Sequence, residues 1–294
     1  MAFDRWKSWY GAIRPYARFK GHHTEINKLY WSFVPTAGYV KYLERHAPAG
    51  TETATLFHAS GPNVHRLQLT ARDWLASFKE FENWTRLSAL LSALSDLETY
   101  ISTAVTLALR SDPLLRFGQS RAIDGAAWVK KSVTDDVSEY VTDCVKGQWS
   151  KRIASYRRLF GLVPGALTAS EGDLERMRNI RNGVAHGFGR DLRIFDDPLN
   201  MKDGPQERLS EAELLGWLGA IEQVAVAIEA HLLQSHIGNF ELLWHFHRWR
   251  ALPREKLDRR YTEAVAFSRF LNRSFGSTPG REYCKEVERY YLHL

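Results

Sequence analysis

Between Trp74 and Leu109 the apolar residues Trp74, Phe78, Phe81, Trp84, Leu87, Leu91, Leu94, Ile101, Val105 and Leu109 recur mostly every three or four positions. That spacing places them along one side of an α-helix and scatters them over both faces of a strand. The run opens at Thr70-Ala-Arg-Asp73, where Thr70 suits a helix cap, and closes at Asp112-Pro113. The run predicts one long helix, bent or broken at most once, and further helical candidates follow along the chain. Residues 138–160 supply a candidate through Tyr140, Val141, Val145, Trp149, Ile153, Tyr156 and Phe160. A further helix starts at Ser210, with Glu213 completing a capping box, and runs through Leu214, Trp217, Leu218, Ile221, Val224 and Ile228 to Leu232.

The remaining segments are less regular. Residues 1–33 predict one or two helices in which Trp6, Trp9, Tyr10, Tyr16 and Phe19 alternate with Arg5, Lys7, Arg14, Arg18 and Lys20. Such rings either fill a core while the cations reach outward, or stack on bases. Pro35, Gly38, Pro48 and Gly50 predict an irregular crossing over 34–50, and the weak alternation around Gly61-Pro62-Asn63 predicts a small β-hairpin within 51–70. Residues 113–135 predict a loop carrying a short helix, and 189–208 a polar, turn-rich connection. The tail predicts two or three short helices separated by Pro253 and by residues 274–280. The expected blocks are an N-terminal extension over 1–70, a helical domain over 71–236 and a C-terminal extension over 237–294.

One stretch carries chemistry. Residues 171–191 read Glu-Gly-Asp-Leu-Glu-Arg-Met-Arg-Asn-Ile-Arg-Asn-Gly-Val-Ala-His-Gly-Phe-Gly-Arg-Asp. On a helical wheel Leu174, Met177, Ile180, Val184 and Phe188 form an apolar stripe, with Arg178, Asn182 and His186 as a polar stripe beside it. Arg181 projects at the edge of the apolar arc, where a guanidinium is costly unless it is paired or lines a cleft. Glu98 interrupts the long apolar run between Leu94 and Ile101. It either meets a cation such as Arg181 or lies at the margin of the stripe and faces water.

Arg181-Asn182-Gly183-Val184-Ala185-His186 resembles the Arg-Asn-x-x-x-His signature of the HEPN superfamily, and the resemblance covers roughly residues 71–236. It implies an all-α fold, an antiparallel helical bundle to which residues 1–70 and 237–294 add extensions, and, in active members, a metal-independent endoribonuclease. Arg181 and His186 would be the catalytic pair, with Asn182, Arg178 and Glu98 in support. It further implies a homodimer whose two motif helices meet in one cleft, RNA as substrate, and a toxin or antiviral-defence role under a regulatory protein partner or antitoxin. A non-catalytic module binding RNA or protein is the alternative. The toxin variety whose signature continues His-x-Tyr fits poorly, because Phe188 stands at that position.

The residue types themselves suit this chemistry. Histidine exchanges protons near neutral pH, and arginine grips a phosphate with a planar fork. No Gly-x-x-x-x-Gly-Lys-Ser/Thr loop, no strand-borne Gly-x-Gly-x-x-Gly and no His-Glu-x-x-His occurs. His245 and His247 point to opposite sides of a helix and lack a completing ligand, so no metal or cofactor is expected. Cys144 and Cys284 are too few for a disulfide framework. The net charge of +6 divides unevenly: residues 1–72 carry +6 and 237–294 carry +4, leaving −4 between them. Basic flanks suit a polyanion or serve solubility. No membrane span and no signal peptide is expected, which predicts a cytoplasmic protein.

Overall fold

The structure is a computed structural model that describes residues 2–187, 207–253 and 262–294, with 185–187 described by their backbone. Among the described residues every regular element is helical, and the chain is all-α. The helices are α1 (Arg14–His46), α2 (Thr53–Leu56), α3 (Ala71–Ser111), α4 (Gly125–Lys130), α5 (Ser138–Val145), α6 (Trp149–Phe160), α7 (Gly165–Ala169), α8 (Glu171–Gly187), α9 (Glu211–Leu232), α10 (Phe240–Arg250), α11 (Glu263–Phe275) and α12 (Arg281–His293). A π-turn over Leu233–Ile237 continues α9.

The long periodic run forms one helix of 41 residues. Thr70 caps it as its residue type predicts: the Asp73 amide donates to Thr70 Oγ1 at 3.2 Å, and that hydroxyl donates to the Asp73 carboxylate at 2.8 Å. Two expectations for the N-terminal third fail. Residues 34–46 continue α1 straight through Pro35. Proline removes one helical hydrogen bond and crowds the preceding turn, yet one face beyond it is buried: Ala37 and Val40 cluster with Phe78, against Phe33, Phe57, Trp74 and Leu75. The predicted hairpin is absent as well. Its ends meet in a single antiparallel bridge, Glu52 to Thr70, while α2 and a 3₁₀ turn over Val64–Arg66 occupy the intended strands. Thr53 is fully buried there, so packing decides the local conformation against a weak alternation.

The chain resolves into two compact units, one of residues 20–97 and 172–222, the other of 1–19, 98–171 and 223–294. In the first, the buried faces are Leu87, Leu90 and Leu94 of α3, Leu174, Met177, Ile180 and Val184 of α8, and Leu214, Leu218 and Ile221 of α9. Polar contacts fix the approach to α9. The buried Asn83 side chain donates to the Glu207 carbonyl and accepts from the Leu209 amide, both at 2.9 Å. Tyr30 Oη donates to Glu211 at 2.8 Å, and Lys41 pairs with Glu82 at 2.6 Å.

The second unit is tied together by a buried arginine. Arg5, read from sequence as one of several outward cations, is 4% exposed. Its guanidinium donates to Asp124 Oδ1, the Ile237 carbonyl and Ser111 Oγ, each at 2.8 Å, and lies 4.3 Å from the Trp6 ring centroid. Two close approaches require glycine: a Cβ on Gly125 would overlap the Arg110 carbonyl oxygen, and Gly238, at φ +52°, would strike the backbone of Arg5 and Trp6. The segment 138–160, predicted as one helix, is two. Lys146 is extended and Gly147 takes φ +86°, which reorients the chain before Trp149 enters the core. The tail forms α10, α11 and α12 around a ring cluster in which Phe246 meets Phe267 at 4.9 Å and Tyr291 at 5.1 Å. No helix among the described residues is long and apolar enough to cross a membrane.

Candidate active site

The signature lies on α8, and its placement follows from the amphipathic pattern. Leu174 and Met177 are fully buried, and Ile180 and Val184 nearly so. The helix is held to α9 by three contacts near its start. The Trp217 indole donates to Asp173 at 3.3 Å, Arg176 pairs with Glu213 at 3.0 Å, and the Arg176 guanidinium stands 5.2 Å from the Trp217 ring. Glu213 also completes the predicted capping box. Its amide donates to Ser210 Oγ at 3.2 Å and its carboxylate accepts from the Ser210 hydroxyl at 2.7 Å. The Ser210 hydrogen bonds, and then Arg176, hold the Glu213 carboxyl below the usual carboxylate range.

With the apolar stripe turned inward, Arg181 and Asn182 are left half-buried and Gly183 exposed. Arg181 Nη2 donates to Asn182 Oδ1 at 3.4 Å, a long bond that links the two adjacent signature residues. One turn earlier, Arg178 makes a forked contact to Glu175: Nε donates at 3.1 Å to both carboxylate oxygens and Nη2 at 2.6 Å to Oε1. Arg178 Nη2 also donates to Asn179 Oδ1 at 2.9 Å. Arg178, Arg181 and Asn182 thus occupy one continuous stretch of α8, and the backbone of His186 continues it by a turn. The His186 side chain and the whole of Phe188 lie outside the described residues.

Glu98 belongs to the other unit. It is half-buried and paired with a cation: Arg152 of α6 donates to Glu98 Oε1 at 2.8 Å. Arg152 is itself buried, donates through Nε to the Gly147 carbonyl at 2.9 Å and lies 4.5 Å from the Trp149 ring centroid. The sequence marks Glu98 by its interruption of an apolar run. Arg152 carries no such mark among the five cations of its segment, and the bend at Gly147 that positions it is invisible in the periodicity.

Sequence reasoning also passes over a pair of carboxyl groups at the start of α1. Glu229 accepts from the Ile13 amide at 2.7 Å and from the Tyr100 hydroxyl at 3.0 Å, and burial pushes its pKa up to about 7. Glu241 accepts from the Arg14 amide at 3.2 and 3.3 Å, and burial raises it likewise to about 7. Glu229 is signalled by its place inside the apolar stripe of α9, between Ile228 and Leu232. His247, half of the His-x-His, is engaged by the Tyr291 hydroxyl at 2.7 Å. No cluster of three or more His, Cys, Asp or Glu suited to a metal occurs among the described residues, and both cysteines are buried and free. Comparison of the chain with family models, curated proteins and solved structures finds no match to any of them.

Proposed function

We propose that the protein is a metal-independent endoribonuclease in which Arg181 and His186 act on the RNA backbone, two α8 helices of a homodimer sharing one cleft. The observation that carries this reading is the disposition of α8. Its apolar residues are spent on the core, while Arg181 and Asn182 stand adjacent and half-buried on the two turns that also bear His186. A partly buried guanidinium can still reach a phosphate, and does so with its charge less screened than at an open surface. In the reaction the ribose 2′-hydroxyl attacks the adjacent phosphorus and loses its proton, and the P–O5′ bond breaks as the 5′-oxygen takes one up. His186 serves as the proton-transfer group and Arg181 stabilises the charge that builds on phosphorus. The products are a 2′,3′-cyclic phosphate and a 5′-hydroxyl. A toxin or defence effector, restrained by a protein partner, is the setting that the signature implies.

The test is incubation of the purified protein with total RNA in EDTA, alongside His186→Ala and Arg181→Ala. Cleavage by the wild type that leaves cyclic phosphate ends, and falls by about a hundredfold or more in His186→Ala, supports the enzyme. RNA binding without cleavage by any of the three proteins replaces it with a non-catalytic RNA-binding module.

A further inference from the structure

Away from α8, the second unit contains a cavity of about 470 Å³, within the size range of small-molecule sites. It is bounded by the first turn of α1, one face of α10 and the end of α11. Its wall is apolar and aromatic through Ile13, Ala17 and Phe275. Two polar side chains a helical turn apart on α10, Glu241 and His245, also line it, and the exposed Arg14 and Arg18, likewise a turn apart, stand at its rim.

Each of these groups keeps capacity for a ligand. The Glu241 carboxyl receives one donor, the Arg14 amide, and a carboxyl offers up to four acceptor positions. The His245 ring packs against Phe275 at 4.7 Å and Trp244 at 5.2 Å, and its nitrogens bond no protein group among the described residues. Burial, with Arg14 and Arg248 nearby, lowers the His245 pKa to about 4, so the ring is neutral at pH 7 and presents one donor and one acceptor. Burial pushes the Glu241 carboxyl pKa up to about 7, so it can donate as well as accept. Alternating donors and acceptors beside aromatic walls match the edge of a heterocycle. The rim is cationic: the Arg14 guanidinium lies 4.0 Å from the Phe275 ring centroid, and Arg18 follows it.

We propose that this cavity binds a small heterocyclic anion, its ring against Ile13, Ala17 and Phe275, its polar edge on Glu241 and His245, and its carboxylate or phosphate at Arg14 and Arg18. The inference uses no residue of α8 and stands whether or not the chain cleaves RNA.

Isothermal titration of the full chain with nicotinate and with uridine 5′-monophosphate tests it and separates a carboxylate from a phosphate ligand. Nicotinamide and inorganic phosphate supply the ring and the anion alone. At least one complete probe is expected to bind at least tenfold more tightly than either half. Arg18→Glu, a change at an exposed position, should weaken that probe tenfold or more. His245→Ala should do the same without altering the cooperative thermal unfolding. Nicotinamide binding as tightly as nicotinate, or inorganic phosphate as tightly as the nucleotide, removes the paired recognition. Failure of both complete probes to bind, or binding unaffected by Arg18→Glu, overturns the proposal.

Discussion

Glu229 shows how a single buried carboxyl sets pH behaviour. It sits 5% exposed among the apolar residues of α9, bonded to the Ile13 amide and the Tyr100 hydroxyl. Folded, it keeps its proton up to about pH 7; unfolded, it releases it near the ordinary carboxyl value of 4.5. The folded chain therefore binds more protons between those values. The stability from this group is full below about pH 4.5 and is lost as the pH rises through about 7. The loss is on the order of 3 kcal/mol for a shift of this size. Glu229→Gln cannot titrate. Its carbonyl can accept from Ile13 while its amide donates to Tyr100, whose hydroxyl can turn to the Ala225 carbonyl at 3.3 Å. Urea unfolding of both proteins should show the variant gaining on the wild type between pH 4.5 and 7; a difference constant with pH would assign the titration elsewhere. Arg5 makes the converse case. Arg5→Met removes the cation beside Asp124, which keeps the Ala126 amide and the Tyr290 hydroxyl, and empties three donor positions; it should cost about 3–5 kcal/mol, read as a fall in the urea midpoint. Neither role is visible in the sequence. Arg5 looks like its exposed neighbours Lys7 and Arg14, and only residues over a hundred positions away, Ser111, Asp124 and Ile237, make it a buried anchor.

Among elements, legibility followed the strength of the local signal. The starts of α3 and α9 could be read because Thr70–Asp73 and Ser210–Glu213 satisfy their helix ends with residues three apart. Ser210→Ala should accordingly cost about 1 kcal/mol by thermal or urea unfolding; no change would mean that water replaces the cap without loss. The buried side of α8 was legible for the same reason, as Leu174, Met177, Ile180 and Val184 need only a 3.6-residue period. Elements decided by distant packing were not. Pro35 reads as a stop, and only the burial of Ala37 and Val40 with Phe78 carries α1 past it. Residues 51–70 alternate like strands but find no neighbouring strand among the described residues, and only their ends pair. The division of 138–160 turns on Gly147, whose positive φ departs from a helix, and spacing alone cannot tell it from a helix-interior glycine.

At the scale of the molecule, the all-α class was expected from the resemblance at Arg181–His186, and the helical spacing of the long segments agrees with it. The division into units was not, since each gathers segments far apart in the chain. Of the candidate site, the placement of Arg178, Arg181 and Asn182 on α8 follows from their spacing, while the Arg152 partner of Glu98 comes from another helix and no spacing announces it. A cleft shared by two α8 helices requires the active species to be a dimer. Light scattering should give twice the 33.8 kDa chain mass under conditions where RNA is cut, and an active monomer would remove the shared cleft. The central claim, 2′-hydroxyl attack assisted by Arg181 and His186, is tested most directly with a single RNA oligonucleotide containing one mapped cut site, compared in EDTA with the same oligonucleotide bearing a 2′-deoxy sugar at that site. The account predicts cleavage of the first to a 2′,3′-cyclic phosphate, none of the second, and none of either by His186→Ala. Cleavage of the 2′-deoxy substrate, or undiminished cutting by His186→Ala, would contradict it.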